Sequence, residues 1–424
     1  MSKNGFDIHS GKSMLRALLI IAVVSAIVSS CIENNKIDNT FKRTVLVYLA
    51  GDNNLSNVAQ NNIFSMNSSI RNENDNANLL AFVDRVDNPP VLMHIHNGVR
   101  DTLVKYDELD STDPNVLSDV IEYMVEHFQS ESYGLVLWSH GTGWLPTSQL
   151  HFVAPNMGYV QSRDGQSPYL SAADGVRDPF SADMVADTKA FAWENRAGQK
   201  PTYKCMELDE MVSAIPDDVF DFIAFDACYM GCVEVIYALR HKANYIISSC
   251  YEVVNTGFPY HIVTRDLLNA SLMKVCREFH TYYNSLSGWE RMAGISLVKT
   301  DGLDSLANCF GKIMADFKDS VPNLGEKSVQ YFDRFTNHVF YDLEDLVDKL
   351  GVGKEHLMEF RMQLERCVPY KVSTDYIFPS DREQIKVDKY CGMSVYIPFG
   401  KYEESGLNSD YRATEWSKVT DYGQ

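Results

Sequence analysis

Apolar and polar positions along the chain fall into two recurring patterns. Uninterrupted apolar runs occupy Thr44–Ala50, Asn78–Asp84, Tyr133–Ser139, Phe220–Asp226 and Asn244–Ser249. Each has the length of a strand buried on both faces, not one that alternates between core and solvent. Between them the apolar residues space out at helical intervals. A helix is predicted over 55–70 and another from Asp113-Pro114 to Phe128, with Val116, Leu117, Val120, Ile121, Met124, Val125 and Phe128 on one face. Val91–His96 and Thr102–Tyr106 flank Asn97-Gly98 and read as a hairpin. Buried strands alternating with amphipathic helices predict an α/β fold with a mostly parallel central sheet covered on both faces.

Past residue 262 the pattern predicts a helix over 271–286, a strand over 292–297, helices over 303–317, 341–350 and 356–367, and a strand over 392–398. A soft boundary near 300 divides a sheet-bearing domain, 43–300, from a C-terminal α+β extension, 301–424. The stretch 145–204 is polar and rich in Asp, Ser and Gly, so it reads as an insertion between strands.

The N-terminus changes the picture. Lys12 and Arg16 precede an apolar run over 17–28, which is short for a spanning helix, and Ser29-Ser30-Cys31 follows. A Cys placed directly after small residues at the end of such a run resembles a bacterial lipobox. Residues 1–31 are therefore expected to be a lipoprotein signal peptide with Cys31 lipidated, and 32–42 a polar tether. That places the protein in the bacterial cell envelope, held to the membrane by its lipid, on a periplasmic or outer face. An uncleaved anchor and an ordinary signal peptide are the alternatives.

Of the 424 residues 45% are hydrophobic, enough for a large core, and the formal charge is −19. Such an excess of acid argues against nucleic acid as a partner, since polyanions are bound by clustered Lys and Arg. Eight cysteines follow Cys31, too dispersed for a disulfide scaffold or a zinc site. Most are expected in the core.

In an α/β sheet of this kind, chemistry gathers at the carboxyl ends of the strands, near a switch in strand order. Two strand ends break there into reactive side chains: Ser139-His140-Gly141 and Asp226-Ala227-Cys228. A thiol needs a nearby base to act as a nucleophile at neutral pH, and an imidazole supplies one. A helix predicted over 229–239 would lend its N-terminal dipole to the Cys228 thiolate. The N–H groups of Gly141 and Cys228 are candidate oxyanion donors. Taken alone, each residue has a blander reading, a packed thiol and a turn histidine.

Together the blocks resemble those of the caspase-like clan of cysteine peptidases, and most of all its clostripain family. The resemblance rests on Tyr48–Leu55, Trp138–Trp144, Asp226–Met230 with Glu234, Gly257–Tyr260 and Gly392–Pro398, covering roughly 43–300 and the terminal strand. It implies a caspase-like α/β sandwich and a Cys228–His140 dyad that cleaves peptide bonds through an acyl-enzyme, often after a basic residue, with no obligatory third residue. The substrate is then a peptide or protein, and no cofactor is required for the chemistry. Asp226 matches the family's acid two positions before the Cys, and Glu252 takes the place of a further acid, as substrate-binding residues.

Some relatives depend on calcium, for which Asp174, Asp178, Asp183 and Asp187 would be the ligands, although a solvated acidic loop explains them as well. Others are activated by cleavage between the two blocks, with Lys189, Arg196 and Lys200 as candidate points here. The rival readings are a catalytically silent binding lipoprotein that keeps the fold, and a hydrolase or transpeptidase using the dyad on another acyl group.

Overall fold

The computed structural model describes residues 41–70, 76–86, 88–153, 191–194, 204–378 and 384–424. The first apolar run forms β1 (Arg43–Gly51), buried along its whole length. After it come α1 (Ser56–Ser69) and β2 (Ala77–Arg85). β3 (Asn88–His96) and β4 (Val99–Lys105) follow as the expected hairpin. Asn97 and Gly98 at its tip have φ of 48° and 75°, the backbone of a two-residue turn matched to strand twist. α2 (Pro114–His127) starts with Pro114 and is capped by the Asp113 carboxylate, which accepts from Asn115 N. It leads into β5 (Tyr133–Trp138).

The described part of the insertion holds α3 (Leu150–Val153), β6 (Phe191–Glu194) and β7 (Lys204–Met206). α4 (Leu208–Ala214), β8 (Phe220–Asp226), α5 (Val233–Ala238) and β9 (Ala243–Ser248) come next. α6 (Tyr260–Leu268), α7 (Leu272–Asn284) and β10 (Gly294–Lys299) complete the N-terminal portion.

Among the described residues nine strands form the main sheet, in the order β12-β10-β9-β8-β5-β1-β2-β3-β4, where β12 is Tyr370–Ser373. The central five, β9 to β2, are mutually parallel, and the flanking strands run antiparallel. The chain leaves β1 toward β2 on one side and later returns to β5 on the other. Because crossovers between parallel strands are right-handed, these opposite steps put α1 on one face of the sheet and α2 on the other. The later steps to β8 and β9 continue in the α2 direction, so α4 and α5 share its face. The packing agrees: α1 contacts α6, and α2 contacts α4. The switch in strand order therefore lies at the β1/β5 junction.

The C-terminal region holds α8 (Leu303–Phe317), β11 (Tyr341–Asp342), α9 (Leu343–Lys349) and α10 (Lys354–Cys367). It continues with β13 (Tyr376–Ile377), β14 (Ile385–Lys386), β15 (Ser394–Val395), α11 (Leu407–Arg412) and α12 (Glu415–Thr420). α12 packs on α5 and α8, and β12 extends the main sheet. The boundary placed near 300 thus falls between β10 and α8, within one compact unit spanning 41–424. The strand expected over 392–398 is shorter, two residues that pair with β11 outside the main sheet. It is tied to the segment after Cys228, since Ser394 N donates to Gly231 O at 2.9 Å and Tyr396 N to the Glu234 carboxylate at 2.9 Å.

Candidate active site

The parallel register sets Trp138 on β5 directly opposite Asp226 on β8. His140 and Cys228, each two residues further on, leave neighbouring strand ends side by side. Ser139 anchors this end of β5 from both directions: its N–H donates to Asp226 O at 3.4 Å and its Oγ to Ala50 O at 2.7 Å. The two loops then touch backbone to backbone. A Cβ on Gly141 would lie 2.5 Å from the Cys228 carbonyl oxygen, so only glycine fits.

His140 is 2% exposed, and burial lowers its pKa to about 3. Its Nε2 lies 2.8 Å from Oδ1 of Asn54, in the turn between β1 and α1. Cys228 is partly buried. Val253 N donates to its Sγ at 3.3 Å, and the thiol faces Val253 O at 3.8 Å. Burial, then the neighbouring Glu252 carboxylate, pushes the thiol up to about 12. At neutral pH the resting pair is therefore a thiol and a neutral imidazole.

The expected helix over 229–239 is not formed at its start. α5 begins only at Val233, with Cys232 as its N-cap, and Cys228 sits on a turn upstream of it. The chain turns because Tyr229 takes a left-handed φ of 61°, held there by its N–H donating to Tyr251 O at 3.2 Å and by its ring stacking on Phe340 at 4.6 Å. Cys228 thus receives no help from a helix dipole, in keeping with its raised pKa. Cys232 is fully buried among core side chains.

Glu252 lies beside Cys228, but its carboxylate is already engaged. Arg334 Nε and Nη2 donate to its two oxygens at 3.2 and 3.3 Å, and Tyr229 OH donates at 3.0 Å. The guanidinium also lies over the Phe378 ring, 4.5 Å from its centroid. Asp226 points into the loop before α6, where its Oδ2 accepts from Phe258 N at 2.8 Å and Tyr260 OH at 3.0 Å. Burial raises it to about 7.

Sequence reasoning gave no role to Asn54 or Arg334. Asn54 lies within a quoted block, at the end of the strand bordering the switch point, which was the available signal. Arg334 stands in an irregular segment with no periodic pattern to read. Cys31, Lys189, Arg196, Lys200, Asp174, Asp178, Asp183 and Asp187 lie outside the described residues. Among the described residues no group of three or more His, Cys, Asp or Glu side chains could hold a metal ion.

The family model described as "Clostripain family" matches residues 47–167 and 178–392, which include both strand ends and the turn carrying Asn54. The chain belongs to the clostripain family. Among solved structures of such proteins it is similar to an inactive zymogen protease from Parabacteroides distasonis, with 29% identity, 90% of this chain and 99% of that one covered, and a TM-score of 0.71. It is also similar to a secreted cysteine protease from Bacteroides thetaiotaomicron in complex with an irreversible peptide inhibitor, with 26% identity, the same coverage and a TM-score of 0.69. Clostripain from Hathewaya histolytica is 24% identical over 259 residues, 54% of this chain. The match spans 42% of that relative's length, less than half of it.

Proposed function

We propose that this protein is a cysteine endopeptidase in which Cys228 is the nucleophile and His140 the base. The observation that carries the reading is the register of β5 against β8, which brings these two side chains to adjoining strand ends over a backbone contact that only Gly141 allows. The membership of the clostripain family supports it, as does the peptide inhibitor held by the Bacteroides thetaiotaomicron protease.

With the thiol near 12 and the imidazole near 3, an ion pair is not the resting state. His140 then takes the thiol proton as sulfur attacks the peptide carbonyl, so that proton transfer and S–C bond formation advance together. The oxyanion that develops is placed to accept from the N–H groups of Gly141 and Cys228. The imidazolium returns its proton to the leaving amine as the C–N bond breaks. Water, deprotonated by His140, then hydrolyses the thioester. Two side chains and two backbone groups carry every step.

A preference for a basic residue before the scissile bond requires an available carboxylate. Arg334 already pairs with Glu252, whereas Asp226 accepts from Phe258 N and Tyr260 OH through Oδ2 and has no partner on its buried Oδ1, so of these two acids Asp226 is the one with an oxygen left for a substrate cation. Anchoring through Cys31 at the cell envelope forms part of the proposal and rests on the N-terminal sequence. A peptide library, with added calcium and with limited proteolysis as separate arms, tests the activity. Cleavage by the wild type that is lost in Cys228→Ala supports it, and a library left intact in all arms refutes it.

A further inference from the structure

One face of the β3–β4 hairpin carries side chains that the proposed chemistry does not use. Val83 on β2 stands opposite Val91 on β3, and Val91 opposite Lys105 on β4. Ile95 stands opposite Arg100. Arg100 and Lys105 are five apart and would point to opposite faces of a regular strand, but the register shifts between Leu92 and Met93, and this bulge brings both to the Val83 face. There they line an open cavity of about 260 Å3, together with Arg85 and, from α1, Gln60 and Ile63.

The cavity is cationic in a chain whose net charge is −19. Among the described residues no acid lines it, and no carboxylate pairs with Arg85, Arg100 or Lys105. Other surface cations meet acids, as Lys242 does Asp217 at 2.6 Å and Arg412 does Glu403 at 2.9 Å. Arg100 is held in place without being neutralised, since its guanidinium lies over the Phe64 ring, 4.6 Å from the centroid. Arg85 is half-buried, and burial lowers its pKa, a cost to the charged form that an anion would relieve. Ile63, Val83 and Met93 give the cavity an apolar floor. Its volume is below the roughly 300–1,000 Å3 of a site that encloses a whole drug-sized ligand, and suits a short piece of a longer one.

We infer that this pocket is a subsite for an acidic segment of a peptide substrate, taking a carboxylate against Arg85, Arg100 and Lys105 and a neighbouring apolar side chain against the floor. A free inorganic anion would leave that floor unused. The position also suits a peptide. Arg85 pairs with Gly51 at the carboxyl end of β1, the end from which the Asn54 turn reaches His140. β2 lies two strands from β5, roughly 10 Å, a distance spanned by about three to five residues of extended chain. As a substrate subsite the pocket rests on the peptidase reading; its affinity for acidic peptide does not.

Binding is measured on the full-length chain carrying Cys228→Ala, so that no peptide is consumed, by fluorescence anisotropy of a labelled peptide containing Glu-Leu and of its Gln-Leu counterpart. The Glu peptide is expected to bind on the order of 10-fold more tightly, the sum of a few partly exposed charge contacts. That margin should vanish in about 0.5 M salt and in Arg100→Glu with Lys105→Glu. Both residues are exposed, so this variant should keep the parent's thermal midpoint. Lys327→Glu with Lys354→Glu makes the same change in net charge outside the pocket and should leave the margin intact. In the active chain, a Glu scanned along a cleaved peptide is expected to lower KM on the order of 10-fold at one position, about three to five residues from the scissile bond, with kcat unchanged. Equal binding of the two peptides, or a margin that survives the reversal in the pocket, overturns the inference while cleavage, and with it the peptidase reading, stands. Displacement of the peptide by micromolar inorganic phosphate overturns it in favour of a free-anion site. A library left uncleaved and unlabelled while the Glu margin persists removes the peptidase reading and the substrate role together, and the affinity for acidic peptide is retained.

Discussion

The contact between Gly141 and the Cys228 carbonyl sets how far apart the side chains of His140 and Cys228 can be. A methyl group at residue 141 would press on backbone, which cannot swing aside as a side chain would, so the β5 and β8 loops would have to separate. Gly141→Ala is expected to lower kcat/KM on the order of 10²-fold or more, the cost of losing one oxyanion donor, while the thermal midpoint drops only modestly. Steady-state kinetics together with thermal unfolding check this; full activity in the variant would show that the contact is dispensable. The adjoining placement of Cys228, His140 and Gly141 was legible in the sequence because each follows an apolar run and parallel strands place their ends together. The acids were harder to read. Glu252 and Asp226 are acidic residues near Cys228, but what an acid does depends on what faces it, and Arg334 and the Phe258–Tyr260 loop come from distant parts of the chain.

At the scale of elements, the segment around Arg334 fastens the C-terminal region to the loop after β9, which carries Glu252. Both side chains of the Glu252–Arg334 pair are nearly buried, at 10% and 11% exposure. Removing one partner strands a buried charge, so Arg334→Gln is expected to destabilise the fold by about 3–5 kcal/mol. The double variant Arg334→Gln with Glu252→Gln should recover part of this. Chemical denaturation of these two variants and of Glu252→Gln alone measures it, and additive losses would contradict the pairing. If the single variant stays folded, its released carboxylate should also raise kcat/KM for Arg and Lys substrates over neutral ones. Most elements of the main sheet were readable from periodicity. The helix after Cys228 was placed too early because its apolar residues have helical spacing, yet Tyr229 breaks the backbone for the sake of its own hydrogen bonds. β12 was missed because its four residues, exposed or half-buried at the sheet edge, carry no apolar run.

For the whole molecule, burial leaves several ionisable groups far from their ordinary values. Asp84, Asp226 and Glu234 are raised to about 7 and Asp342 to about 6, while His140 falls to about 3 and His94 to about 4. Between roughly pH 4.5 and 6 the folded chain keeps protons on four acids that the unfolded chain has released. The two histidines act oppositely, since only the unfolded chain protonates them there. With more protons on the folded side, stability falls as pH rises through this window and levels off above about 7. The net charge of −19, which is relieved as pH falls toward the pI near 5.0, acts in the same direction. The thermal midpoint is expected to be higher at pH 5.5 than at pH 8, on the order of 2–5 °C. Glu234→Gln, which keeps an acceptor for Tyr396 N, should reduce that difference; a midpoint that rises steadily with pH would contradict the assignment. In the proposed mechanism this whole arrangement serves one thiol. An irreversible peptidyl electrophile, followed by mass spectrometry of the labelled chain, tests it most directly. A single adduct on Cys228 is expected, formed by the wild type, absent in Cys228→Ala and strongly slowed in His140→Ala, with the other cysteines unmodified. An adduct on another cysteine, or labelling of Cys228 at the same rate without His140, would contradict it.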